Sequence, residues 1–237
     1  MTIRLIVVSL VLSLAAVLPS SSYGQASLEG PTGVCLTPLA YTLPAGTTQA
    51  SMHFVDLEPL GTLTTLGLSA GLSDGVEVGF TREAMAVSGT VNTNVLHAKW
   101  AAVPEKPRSP ALSVGAILRD PEGSGGSTAD VYLVASKVFP GKTPVILSAN
   151  ARSTDGIGFG LLGESDRETK YGGFVGFVVH PKLILGWEGA EQPGGARTWS
   201  AFVFRYSPSE DTNIDGGIAD LGSGIDDQFA VVLTRRF

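Results

Sequence analysis

The feature that most constrains this chain is a two-residue alternation whose second face is small rather than bulky and polar. In one segment Leu66, Leu68, Ala70 and Leu72 share a face while Thr65, Gly67, Ser69 and Gly71 share the other. Val76, Val78 and Phe80 likewise oppose Glu77, Gly79 and Thr81, and Leu112, Val114, Ala116 and Leu118 oppose Ser113, Gly115 and Arg119. Period two is the signature of β-strands. A soluble sandwich would carry larger polar residues on its outer face. An apolar row backed by small or polar residues predicts instead an all-β, transmembrane antiparallel barrel with lipid outside. Composition agrees: 43% of residues are hydrophobic and only 16% charged, against ~25% charged in an ordinary soluble domain. Mean hydropathy is +0.24.

The chain opens with Met1-Thr2-Ile3-Arg4, an apolar run Leu5–Leu18 and Pro19. That is the charged, apolar and small-residue order of a secretory signal peptide. Ser22-Tyr23-Gly24 supplies small residues at the −3 and −1 positions, so cleavage is expected before Gln25. The run is shorter than the ~18–20 apolar residues of a membrane-spanning helix. Cys35 follows Thr32-Gly33-Val34, which is not a lipobox; as the only cysteine it forms no intramolecular disulfide and is expected to be a buried thiol. The formal net charge of −6 argues against a nucleic-acid partner.

The resulting organisation is 1–24 signal peptide, 25–46 periplasmic lead-in segment, and 47–237 barrel. After Gly46 about twelve short strands are separated by Gly, Pro, Asp and Ser: Thr47–Asp56, Thr62–Leu72, Val76–Arg82, Val91–Val103, Ala111–Arg119, Ala129–Phe139, Val145–Arg152, Tyr171–Val179, Leu183–Gly189, Thr198–Tyr206, Asn213–Leu221 and Gln228–Phe237. An even count suits a single-chain bacterial barrel, which also has short periplasmic turns. The short connections Ser73-Asp74-Gly75, Pro140-Gly141-Lys142 and His180-Pro181 all fall on the predicted periplasmic side. The longer ones, Thr154–Lys170 and Ala190–Arg197, fall opposite. Phe54, Phe80, Phe139, Tyr171, Trp187, Trp199, Tyr206 and Phe237 lie near strand ends, where aromatic rings favour the bilayer interface. In the last strand Phe229, Val231, Leu233 and Phe237 share a face, interrupted by Arg235. The terminal aromatic Phe237 resembles the signal read by the outer-membrane assembly machinery.

Two stretches carry a family likeness. Gly30-Pro31-Thr32-Gly33 through Thr37-Pro38-Leu39-Ala40 to Leu43-Pro44-Ala45-Gly46 forms one. The other runs from Phe159-Gly160 through Leu185-Gly186-Trp187-Glu188, Gln192-Pro193 and Ile218-Ala219-Asp220-Leu221-Gly222 to Asp227-Gln228. Their order resembles an uncharacterised family of proteobacterial outer-membrane barrels, similar in style to barrels linked with exopolysaccharide genes. The resemblance covers about half of the mature chain. It implies a barrel and an outer-membrane location, with no activity to carry over.

Sites for chemistry are sparse. Gly158-Phe159-Gly160-Leu161-Leu162-Gly163 matches the dinucleotide pattern, but Glu164-Ser165-Asp166-Arg167-Glu168 follows where a phosphate-binding helix should begin. Asp211-Thr212-Asn213-Ile214-Asp215-Gly216 opens like a calcium loop, but Gly222 stands where the bidentate Glu belongs; a turn into the eleventh strand is the favoured reading, with weak calcium binding as the alternative. His53, His97 and His180 lack a His-x-Ser arrangement, and no nucleophile–base set is recognisable, so neither an enzyme nor a cofactor is expected. Glu77, Arg119, Arg152, Glu188 and Arg205 fall on the non-lipid parity. Arg or Lys facing mid-membrane lipid costs ~2–4 kcal/mol, so these five are expected to line a lumen, either tuning selectivity or pairing with one another.

Twelve strands enclose more space than side chains alone fill. Water, or Gln25–Gly46 folded inward, is expected inside. The leading expectation is a monomeric outer-membrane barrel serving as a passive channel or export accessory for small or saccharide solutes, with membrane lipid and the assembly machinery as partners. The alternatives are a non-conducting structural or adhesion barrel that binds through the loops Thr154–Lys170 and Ala190–Arg197, and a soluble secreted β-sandwich or lectin-like module with calcium at Asp211–Gly216.

Overall fold

The computed structural model describes residues 26–27, 30–35, 37–56, 61–86, 89–123, 126–156, 164–191, 198–220 and 228–237. Among them are twelve strands: β1 Thr48–Asp56, β2 Thr62–Ser73, β3 Val76–Ala86, β4 Thr90–Val103, β5 Ala111–Pro121, β6 Thr128–Phe139, β7 Val145–Gly156, β8 Glu164–His180, β9 Leu183–Ala190, β10 Trp199–Tyr206, β11 Thr212–Asp220 and β12 Gln228–Arg236. Each pairs antiparallel with its sequence neighbour, and β1 pairs with β12 from Gln49↔Arg236 to Asp56↔Phe229, closing the barrel. Thr48 and Phe237 exchange both backbone hydrogen bonds at the seam. Closure leaves no free edge, which is what a strand-built wall needs in hydrocarbon.

The alternation resolves into an outside and an inside. Leu66, Leu68, Leu72, Leu96, Leu118 and Leu133 are each more than half exposed on the outer wall, while Thr65, Ser69, Glu77, Thr81 and Ser113 are buried inside. Phe80, Phe139, Tyr171, Trp187, Tyr206 and Phe237 also face outward. Two aromatics depart from the expected girdle. Trp199 is buried in the interior cluster with Ala201 and Val203, because it shares the inward parity of Arg205 on β10. Phe54 is only partly exposed. The last apolar row is also uneven, since Val231 is buried beside Ile214 while Phe229 is exposed.

The end where β1 begins and β12 stops, here the proximal end, holds both two-residue turns, Asp74-Gly75 and Pro181-Lys182. Gly75 has φ +84°, a left-handed conformation natural only to glycine. The longest connection, 191–198, lies at the distal end. The expected loop Thr154–Lys170 is shorter than the sequence suggested. β7 runs to Gly156 and β8 begins at Glu164, pairing Thr154↔Glu168 and Ser153↔Thr169, so only 157–163 connects them. The acidic run was misread because β8 opens with charged residues at successive positions, which hides the two-residue alternation.

Much of the glycine serves neighbouring rings. A Cβ on Gly115 would lie 2.3 Å from both Cζ and Oη of Tyr132, and one on Gly176 or Gly186 would lie 2.4 Å from the Phe174 ring. Each ring therefore lies flat across a bare stretch of wall. Gly115→Ala is expected to destabilise the barrel by about 1–3 kcal/mol, since Tyr132 must leave its packed position. The check is the urea midpoint in detergent or lipid at unchanged denaturant slope; an unaltered midpoint would mean that the ring moves aside freely.

Candidate functional site: a gripped segment in the lumen

Extended backbone entering a barrel must satisfy its own amide groups, because no neighbouring strand pairs with it. Residues 30–46 meet that requirement with inward side chains of the wall. After Gly46, whose N–H bonds to Gly71 O at the proximal end, the chain traced backwards enters the lumen. Val34, Cys35, Leu39, Ala40 and Leu43 are all buried there. The described part of the lead-in segment is thus an internal plug, the inward-folded arrangement expected as the alternative to water. Two local pairings, Ala26↔Thr32 and Gly33↔Pro38, fold it back on itself.

The grip has four parts. Glu77 on β3 accepts hydrogen bonds from the Thr32 N–H at 2.7 Å, from the Thr32 hydroxyl, and from the Leu43 N–H at 2.9 Å. Lys99 on β4, 3.6 Å from Glu77, donates to Thr32 O at 2.8 Å and Leu39 O at 3.3 Å. Glu188 on β9 accepts from both the N–H and the hydroxyl of Thr37 at 3.1 Å. Arg205 on β10 reaches Gly33 O at 2.7 Å while pairing with Asp215 at 2.9 Å. Ser113 donates to Ala40 O and Ser136 accepts from the Ala40 N–H. Hydrogen bonds involving charged groups are the stronger class, about 1.5–3 kcal/mol each.

Apolar contact completes the seat. Val34 and Leu39 of the plug belong to one cluster with Ile146, Phe174 and Val203 of the wall, with Tyr41 and Ile184 packed against it. The His97 ring fills the space beside Gly30, where an added Cβ would come within 2.6 Å of Nδ1. Burial holds the Cys35 thiol well above its usual pKa; the carboxylates of Glu188 and Asp215 push the same way and Arg205 opposes them. The sulfur is therefore a neutral thiol, as expected for a lone buried cysteine.

All five charges assigned to the lumen by parity do point inward, each at most 9% exposed. The structure separates them by role. Glu77, Glu188 and Arg205 hold the plug. Arg119 and Arg152 instead converge on Asp130, at 2.8 and 3.5 Å. The three arginines among them are therefore each paired with a buried carboxylate, Arg205 with Asp215 and the other two with Asp130. Lys99 and Asp130 were missed and Asp215 was read only as part of a calcium-like turn, although each sits on the inward parity; the register sets Glu77 opposite Lys99 and Arg205 opposite Asp215.

Other expected sites are dispersed. Asp215 is buried against Arg205, whereas Asp211 is a half-exposed rim residue 3.8 Å from Arg236. The stretch from Thr212 is already strand β11, so its oxygens alternate along a wall instead of curling around an ion; the calcium-loop reading falls. Asn213, on the same strand, accepts from the Ser207 hydroxyl. His53 and His97 are buried in the wall interior, while His180 ends β8 and accepts from the Lys182 N–H. The glycine pattern 158–163, the leader 1–24 and the stretch 192–197 lie outside the described residues. Phe237 is 69% exposed, with the Arg235 guanidinium 5.4 Å from its ring centre.

At the proximal mouth Glu105 ties plug to wall, accepting from the Tyr41 hydroxyl at 2.6 Å, Lys137 Nζ at 2.9 Å and the Val138 N–H at 3.1 Å. Partial burial raises its pKa, but the hydrogen bonds from Tyr41, Lys137 and Val138 and the Lys137 charge outweigh that, leaving it below the ordinary value. A carboxylate lowered on folding contributes stability above its unfolded pKa and loses it as pH falls through the folded one. Wild type should therefore exceed Glu105→Gln in unfolding free energy at neutral pH, with the gap closing in acid. A gap that stays constant with pH would rule this out.

No family model matches this sequence, and no curated protein matches it. Its fold does match solved structures. The KdgM porin is 11% identical with a TM-score of 0.61, over 81% of this chain and 99% of that one; it is also described in complex with disordered oligogalacturonate. The NanC porin is 15% identical with a TM-score of 0.54, over 79% and 97%. Omp33 of Acinetobacter baumannii is 12% identical with a TM-score of 0.53, over 81% and 97%. At such identities the likeness is one of fold: this chain is a closed twelve-stranded antiparallel barrel with the fold of those solved barrels.

Proposed function

We propose that the chain is a passive outer-membrane channel for small, saccharide-class solutes. The supporting observation is a wall that is apolar outside and, inside, lined with charged and hydroxyl side chains around a lumen wide enough to hold a folded-back segment. Water-filled barrels with polar interiors conduct; solid cores do not. The oligogalacturonate described with KdgM supports the solute class. On this reading Met1–Gly24 is the secretory leader and the proximal end is periplasmic. Phe237, beside the seam, is the mark read by the assembly machinery, and the barrel is a monomer without catalytic activity. A kinship with proteobacterial barrels of the exopolysaccharide-linked style fits the same picture, as does a role as an export accessory.

A second reading, a non-conducting structural barrel, is favoured by the grip on residues 30–46, which keeps the lumen occupied. Planar-bilayer recording of protein lacking residues 26–43 decides between them. Steady current from folded, heat-modifiable barrel is expected for a channel. Silence from the same folded species would leave only the structural barrel.

A further inference from the structure

Residues 30–46 contain no Asp, Glu, Lys, Arg or His, yet most of the wall side-chain hydrogen bonds that hold them come from charged groups. What Glu77, Lys99, Glu188 and Arg205 bind are main-chain N–H and C=O groups and two threonine hydroxyls. Ser113 and Ser136 take the C=O and N–H of Ala40. Such a row offers alternating acceptors and donors to an uncharged chain, with an apolar bed at Ile146, Phe174 and Val203 alongside.

We infer that these six side chains form a binding track for neutral, hydroxyl-bearing chains, oligosaccharides of uncharged sugars, and that residues 30–46 occupy it as a tethered competitor. The inference rests on the channel reading and names the solute of that channel. Charge bookkeeping within the lumen favours neutral over acidic sugars. Lys99 faces Glu77, Arg205 is bound to Asp215, and Arg119 and Arg152 share Asp130. An acidic solute on the track would have to draw Lys99 from Glu77 or Arg205 from Asp215, leaving that buried carboxylate uncompensated. A neutral sugar only has to replace the hydrogen bonds of Thr32, Thr37 and Ala40, and the apolar face of its ring suits the bed that Val34 and Leu39 now cover.

Cys35 reports on the competitor directly, because it is the only cysteine and is 4% exposed within the seated segment. The experiment uses the full chain in proteoliposomes and planar bilayers, following modification of Cys35 by a membrane-impermeant maleimide together with current. Wild type should label slowly and pass little current. In Glu77→Gln/Glu188→Gln, the carboxamide N–H at 77 meets a plug donor, because both oxygens of Glu77 accept from the plug, and both charges are lost; labelling and current should rise together by at least about tenfold, the equivalent of one charged hydrogen bond. Maltotriose should speed wild-type labelling, and trigalacturonate at equal concentration should not. That wild-type comparison stands alone should the double variant fail to fold.

Equal acceleration by trigalacturonate would overturn the neutral track. A steady wild-type current with Cys35 protected would overturn the competitor while leaving the channel standing. Rapid labelling without current, in wild type or variant, would remove the channel reading itself and this inference with it.

Discussion

Asp130→Ala should lower the unfolding free energy of the barrel by about 3–5 kcal/mol, the expected cost of removing one partner from a buried ion cluster. The carboxylate is fully buried on β6 and serves Arg119 of β5 at 2.8 Å and Arg152 of β7 at 3.5 Å. Without it, two guanidinium groups on the strands flanking β6 face each other across the space it occupied. Urea unfolding of folded barrel in lipid vesicles measures the loss. Adding Arg119→Met to the same chain should recover part of it, because one uncompensated cation is then removed. A loss below about 1 kcal/mol would mean that lumen water solvates both arginines as well as the carboxylate does, the behaviour of exposed pairs.

Phe174→Ala is expected to cost a similar amount, about 3–5 kcal/mol, by a different route. The ring crosses Gly176 and Gly186, with no side chain beneath it, and sits in the cluster that seats Val34 and Leu39. Truncation leaves a hole that glycine cannot fill and strips the bed from the plug. The same variant should therefore expose Cys35 to maleimide. Destabilisation with Cys35 still protected would show that the polar grip alone suffices to hold residues 30–46.

The two effects differ in how well they could be foreseen. Arg119 and Arg152 were placed inside by parity alone, since neither could face hydrocarbon at acceptable cost. That Asp130 lies between them depends on diagonal neighbours across β5, β6 and β7, and a shift of one residue would send it to the outer wall. Phe174 shares its strand face with glycines, which reads as an indifferent pattern until the ring is seen to lie over them. Trp199 misled for a related reason: position near a strand end suggested the bilayer interface, whereas its parity put it inside. The Asp211–Gly216 oxygens looked like a chelating loop because spacing along a sequence does not distinguish a turn from a strand.

What the sequence determined by itself was the wall: twelve strands, their inward and outward faces, and the inward address of Glu77, Arg119, Arg152, Glu188 and Arg205. Those follow from a two-residue period and from the cost of charge in lipid, both local properties. The tertiary structure alone decided what fills the wall. Residues 30–46 have no alternation and no charge, so nothing in them states where they lie; their place is fixed by Glu77, Lys99, Glu188 and Arg205 on four separate strands, which only barrel closure brings around one segment.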